Sequence, residues 1–114
     1  MNQKEIWLVN LDPTIGAEIK KKRPCVILND DSIGVLPLKV IAPITDFKTK
    51  FEIVPWMVKL APDSSNNLNK DSVIDTFQVR SVSKERLIKR TGLIGDDDLT
   101  KVFEALKVVF GMGS

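Results

Sequence analysis

One stretch of this sequence steps in threes and fours. From Asp96 onward the apolar residues fall at Leu99, Val102, Phe103, Leu106, Val109 and Phe110, which sets them along one side of an α-helix. Asp96 is placed to cap that helix, Asp97 and Asp98 suit the positive end of its dipole, and Gly111 can stop it. The rest of the chain reads differently. "EIWLVNLDP", "CVILN", "LKVIAPI", "FEIVPWMVKL", "SVIDTFQV" and "TGLIG" are short runs rich in β-branched and aromatic residues, of strand length. Between them lie a polar loop over 14–22 containing Gly16, the turn-like "DDSIG", and "APDSSNNLNKD", dense in Asn, Ser and Asp. Pro55 interrupts the fourth run, which is read as a strand or strand pair. Pro43 places the third near an edge or a strand end, because proline donates no ladder hydrogen bond. "SVSKERL" predicts one helical turn with Ser83 as its cap. Several short strands and one terminal helix predict a mainly β fold, a small barrel-like sheet packed by a helix. With 114 residues the chain forms one domain, 1–114, with room for one core.

Composition removes many kinds of chemistry. There is no histidine, so a Ser-His or Cys-His nucleophilic pair is impossible, and one cysteine without histidine cannot supply the usual zinc ligands. No P-loop and no GxGxxG phosphate loop occurs. Asp96-Asp97-Asp98 reads as a helix start rather than a magnesium site, since adjacent residues there point in different directions. No metal and no cofactor are expected. A single cysteine forms no internal disulfide, which suits a reducing cytosol, and Cys25 in its apolar run reads as core. No apolar run approaches the roughly 18 residues of a membrane span and no leader is visible, so a cytoplasmic protein without a membrane partner is expected.

The net charge is only +2, but it is unevenly spread. Lys20, Lys21, Lys22 and Arg23 stand together in front of Pro24 and an apolar run. Residues 80–90 hold Arg80, Lys84, Arg86, Lys89 and Arg90 against Glu85 alone. Such clusters are either solvated turns or a grip on a local anion. The residues available are those that handle RNA without metal or histidine. RNA carries its own nucleophile in the 2′-hydroxyl, so a protein need only align it, move protons and stabilise the charge-rich phosphorane. The planar fork of an arginine suits the last task.

The motifs also carry a resemblance. "EIWLVNLDPTIGAEIKKKRPCVIL" resembles the opening of the MazF/PemK toxin family, an acidic-IW block, LDPT.G.E and then RP before an apolar strand. "VIAPIT" is similar to that family's second motif, "KDSVIDTFQVRSVSKERL" to its third, and "DDDLTKVFEALKVVFG" to its terminal helix, in order and nearly end to end. The resemblance implies an SH3-like small β-barrel with a C-terminal α-helix. It also implies a toxin of a type II toxin–antitoxin system: a metal-independent, sequence-selective endoribonuclease that cuts single-stranded RNA to 2′,3′-cyclic phosphate and 5′-hydroxyl ends. A homodimer and inhibition by a cognate antitoxin with an acidic flexible segment are implied as well.

Residue by residue, Arg23 matches the family's catalytic arginine and Thr45 its catalytic threonine after "APIT", and Glu18 matches an acidic position implicated in some members. Glu18 is read either as an exposed loop acid or as a base for the 2′-hydroxyl. Lys20, Lys21 and Lys22 are expected to track phosphates, with Lys48 and Lys50 extending the track. Gln78 and Arg80 match the "Q.RS" segment beside the RNA site. Trp56 and Phe47 are read either as stacking platforms for unpaired bases or as core; Trp7 is read as core. The chain departs from the family at Phe77, where many members carry an acid directly before the glutamine. Asp75 lies two residues earlier, on the same face if the strand continues. Two rival readings use the same fold: a CcdB-like gyrase inhibitor that cuts no RNA, and a non-catalytic nucleic-acid-binding barrel.

Overall fold

The computed structural model of the chain describes residues 1–33 and 36–112. Among the described residues seven strands form one antiparallel sheet: β1 (Glu5–Asn10), β2 (Lys22–Ile27), β3 (Leu38–Asp46), β4 (Met57–Leu60), β5 (Ser72–Asp75), β6 (Arg80–Ser83) and β7 (Leu87–Leu93). Their order is β4-β5-β3-β2-β1-β7, with β6 alongside β3, and one helix, α1 (Asp96–Val109), follows. The path ends at β4 and β7 without closing, and the mainly β fold with one C-terminal helix is the one expected. Among the described residues no helix is long and apolar enough to cross a membrane.

The nine-residue β3 is the spine. Leu38–Ile41 pairs with β6, Ile41–Pro43 with β2, and Ile44–Asp46 with β5. Pro43 is therefore not at an edge or an end, as its missing N–H predicts. With Ala42 it fills the gap between Ile41, the last residue paired with β6, and Ile44, the first paired with β5, where a missing donor costs an interior strand least.

Two clusters of buried residues occupy the two faces of β1, β2 and β3. Ile6, Val26, Ala42 and Ile44 pack with Val58, Ile74 and, from the helix region, Ile94, Val102 and Ala105. Val9, Cys25, Ile27 and Ile41 pack with Leu11, Val82 and Leu87. Neighbours on a strand point to opposite faces, so a run such as Cys25-Val26-Ile27 is continuously apolar because both faces of β2 are covered.

The helix forms where its period predicts and ends as predicted, with Gly111 in the left-handed region at φ +68°. Its cap differs. Gly95, not Asp96, holds the cap position, its N–H donating to Asp98 Oδ2 at 3.1 Å. Asp96 is left to pair with Lys4 Nζ at 2.6 Å.

Two of the expected runs change character. Residues 51–54 are not strand: Thr49–Ile53 is a 3₁₀ turn that leaves Ile53 89% exposed, and β4 begins only after Pro55 and Trp56. "SVIDTFQV" is strand only to Asp75 and then turns through Thr76–Gln78. Ser83 caps the Lys84–Arg86 turn as expected, its hydroxyl accepting from Glu85 N–H. Gly34 of the expected "DDSIG" turn, and Gly113 and Ser114, lie outside the described residues.

Candidate active site

The cationic run is divided between loop and strand. Lys20 and Lys21 end the loop, while Lys22 and Arg23 open β2, facing Asn10 and Val9 of β1. Burial rises along the strand, from exposed Arg23 through half-buried Pro24 to buried Cys25, so the guanidinium stands on a fixed base. The register that pairs Cys25 with Pro43 sets Arg23 opposite Thr45 two residues on. Both line one small pocket of about 160 Å³, together with Asp46 and Lys70.

Glu18 lies elsewhere. With Ile19, Pro43, Phe77, Gln78 and Arg80 it lines a larger cleft of about 370 Å³. The two hollows share no lining residue, but Pro43 of the cleft and Thr45 of the smaller hollow are two residues apart on β3, roughly 7 Å along the strand. The Glu18 carboxylate accepts from Ile15 N–H at 2.6 Å and so ties its own loop.

The third motif holds that loop from outside. Gln78 Oε1 accepts from Ile19 N–H at 2.6 Å and its Nε2 donates to Ala17 C=O at 3.3 Å. Arg80 Nη1 donates to Leu11 C=O at 3.3 Å, and Arg86 Nη1 to the carbonyls of Asn10 and Asp12. Asp12 in turn accepts from Lys21 N–H at 3.0 Å, while Lys21 C=O accepts from Leu11 N–H at 2.9 Å. Sequence reasoning reads residues 80–90 as a basic patch for an anion; two of its arginines are occupied with backbone carbonyls instead. In the sequence Arg86 reads only as one charge of that cluster. Both of its acceptors are backbone carbonyls, which carry no side-chain signal in the sequence.

Lys20, Lys21 and Lys22 are exposed, Lys21 with φ +70°. Lys48 and Lys50 are exposed on the loop after β3 and line neither hollow; Lys50 Nζ stands 5.5 Å from the Phe51 ring. Phe47 carries Lys59 Nζ 4.3 Å from its ring centre. Trp56 is half-buried and tilted against Phe77 with centroids 5.4 Å apart, and Phe77 is 60% exposed. Trp7 is half-buried at the margin of the second cluster, its indole N–H donating to Glu5 at 2.9 Å.

Asp75 does not share a strand face with Phe77, because β5 ends at Asp75. Its buried carboxylate instead caps the next turn, accepting from Phe77 N–H at 3.1 Å. Burial pushes its pKa above the ordinary carboxylate value despite hydrogen bonds from Phe77 and Gln78. Burial likewise pushes the Cys25 thiol up to about 12, against the opposing charge of Arg80, so at neutral pH it is an inert core thiol.

The chemistry open to this arrangement is anion binding. Arg23 presents a fork of donors, Thr45 a hydroxyl, and both face one hollow beside a second, mixed cleft. A guanidinium offers five N–H donors and no acceptor, so Arg23 is fitted to stabilise charge rather than to remove a proton. Among the described residues no three His, Cys, Asp or Glu side chains gather to hold a metal ion.

Comparison with known proteins adds an independent line. The family model of the PemK-like, MazF-like toxin of type II toxin–antitoxin systems matches residues 2–110. Endoribonuclease MazF9 of Mycobacterium tuberculosis is 30% identical over 114 residues, spanning 95% of this chain and 94% of that protein. The crystal structure of MazF from Deinococcus radiodurans superposes with a TM-score of 0.81 at 23% identity, covering 98% of this chain and 97% of that one. An endoribonuclease in complex with its cognate antitoxin, from a mycobacterial species, superposes with a TM-score of 0.78 at 15% identity, covering 100% of this chain and 98% of that one. At those identities the two structures share the fold.

Proposed function

The chain belongs to the PemK-like, MazF-like toxin family of type II toxin–antitoxin systems, and from that premise we propose that it is a metal-independent endoribonuclease acting on single-stranded RNA. One observation carries the proposal: Arg23 and Thr45, the two residues that match the family's catalytic pair, line one hollow at the mouth of β2 and β3. The RNA's own 2′-hydroxyl attacks the adjacent phosphorus, the bond to the 5′-oxygen breaks and that oxygen takes up a proton from water, so the products are a 2′,3′-cyclic phosphate and a 5′-hydroxyl. Arg23 holds the phosphoryl oxygens and stabilises the charge that grows on them, and Thr45 donates its hydroxyl to one of them. Glu18, a few residues from Arg23 in the neighbouring cleft, is the carboxylate available to accept the 2′-proton once released from Ile15.

Lys20, Lys21 and Lys22 follow the strand's phosphates, and Lys48 and Lys50 extend the track. Gln78 and Arg80 border the RNA in the cleft beside Phe77. We read the active unit as a cytoplasmic homodimer of one toxin domain over 1–114. Ile33, Leu36, Leu38 and Val40, between 37% and 70% exposed around a hollow of about 410 Å³, are an apolar surface for the second copy. A cognate antitoxin covers the Arg23 surface with an acidic flexible segment.

The test is incubation of the purified protein with a long unstructured RNA in EDTA, beside Arg23→Ala, with 5′ ends mapped by primer extension. Discrete cuts present only with the wild type establish the activity and read out its recognition sequence. Intact RNA with folded wild-type protein refutes it.

A further inference from the structure

The Arg23–Thr45 hollow has another charged wall. Lys70, in the loop leading into β5, lines it beside Ser72, and its Nζ lies 3.0 Å from Oδ2 of Asp46, the residue after Thr45. Arg23 and Lys70 are positive and Asp46 is negative, so the hollow carries a net charge of one positive unit. The Lys70 and Asp46 side chains are 68% and 55% exposed, a setting in which an ion pair adds little to stability. Among the described residues the Lys70 ammonium makes no ion pair other than this one. A carboxylate oxygen and a non-bridging phosphate oxygen offer an ammonium the same partner, an anionic acceptor at hydrogen-bonding distance. Asp46 thus occupies Lys70 in the way a phosphodiester entering the hollow would.

Resting on the ribonuclease reading above, we propose that Lys70 is an RNA-phosphate ligand of the Arg23–Thr45 hollow, restrained by Asp46 until it exchanges that carboxylate for an RNA phosphate. The exchange costs little, because an exposed pair is broken, and it brings a second cation to the side of the phosphate opposite β2. It also gives Asp46 a definite effect. An unpaired Asp46 repels RNA, and a paired one lowers affinity by competing for Lys70.

The two partners must then act in opposite directions, which a merely structural ion pair does not do. Single-turnover cleavage of an unstructured RNA, followed against protein and KCl concentration, tests this with wild type, Lys70→Ala, Lys70→Arg and Asp46→Asn. Lys70→Ala should raise the half-saturating concentration about tenfold or more, and the slope of log affinity against log salt should flatten by about 0.7. Lys70→Arg should keep the wild-type slope, and Asp46→Asn should bind several-fold tighter. Wild-type affinity and slope in Lys70→Ala overturn the inference while leaving the ribonuclease reading intact. So does weaker binding in Asp46→Asn, which would make the pair a structural unit. A wild type that neither binds nor cuts RNA removes the ribonuclease reading, and this inference with it.

Discussion

Arg23 stands where a guanidinium can be both exposed and fixed. Its side chain is at the solvent end of β2, yet its backbone is paired with Val9 and followed by Pro24 and a fully buried thiol. Removing the side chain therefore takes nothing from the core. Arg23→Ala should keep the wild-type melting temperature and lose about 10²–10³-fold in single-turnover cleavage, the usual scale for one donor aimed at developing charge. Arg23→Lys should recover only part of that, because an ammonium is not a fork. Melting of the Ala variant well below wild type would make Arg23 a structural residue. Asp75 is the opposite case, an acid placed indoors. Its raised pKa means that, between the ordinary carboxylate value and the raised one, the folded chain holds a proton the unfolded chain has lost. Stability from this group consequently falls as pH rises through that window and stays lower above it. Asp75→Asn keeps an acceptor for Phe77 N–H without the buried charge. It should melt higher than wild type at neutral pH, with the difference closing as the pH is lowered through the carboxylate range. A gap of constant size at all pH values would show that the charge is not the cause.

At the scale of elements, the loop between β1 and β2 is fastened at both roots by residues distant in sequence. Gln78 holds Ala17 and Ile19, while Arg80 and Arg86 hold 10–12. Gln78→Ala should thus release the Ile19 amide to fast hydrogen exchange while β1 and β2 stay protected; unchanged exchange at Ile19 would place the fastening elsewhere. Gly92 in β7 marks another close approach, since a Cβ there would meet Asn66 C=O at 2.4 Å. Gly92→Ala should cost about 1–3 kcal/mol, read from the denaturant midpoint. Elements with a period of their own were legible in the sequence. The terminal helix followed from its spacing, and the two-sided burial of β2 from four apolar residues in a row. Gly95 was not legible as the cap, because a glycine has no side chain to signal it and the reach back from Asp98 is visible only once the helix exists. Phe51-Glu52-Ile53-Val54 mimics a strand, but its apolar residues bury little, and no local rule distinguishes an exposed Ile53 from a core one. Arg23 and Thr45 were legible as a pair through the family resemblance alone; 22 positions apart, only the β2–β3 register makes them neighbours. Lys70 is hidden in the same way, since only the β3–β5 pairing brings the loop before β5 to the Arg23–Thr45 hollow.

For the whole molecule, the decisive property is a nearly neutral total with its positive charge gathered on one rim. A net charge of +2 gives weak attraction for nucleic acid at a distance, while Lys20, Lys21, Lys22 and Arg23 concentrate it next to the hollow. An antitoxin that silences the proposed activity must cover that rim, and the simplest ligand for it is an extended acidic segment. Such a segment competes with RNA for the same cations, so inhibition and RNA binding should share one salt dependence. Raising KCl from 50 to 200 mM should weaken the antitoxin complex and RNA binding together, both over tens-fold, if about four cations are released from each. Arg23→Ala should weaken the antitoxin as well as the cut. Calorimetric titration of the toxin with its antitoxin at several salt concentrations, beside cleavage assays of the same mixtures, measures both. A saturated complex that still cuts RNA at the full rate would mean that the antitoxin sits on another face.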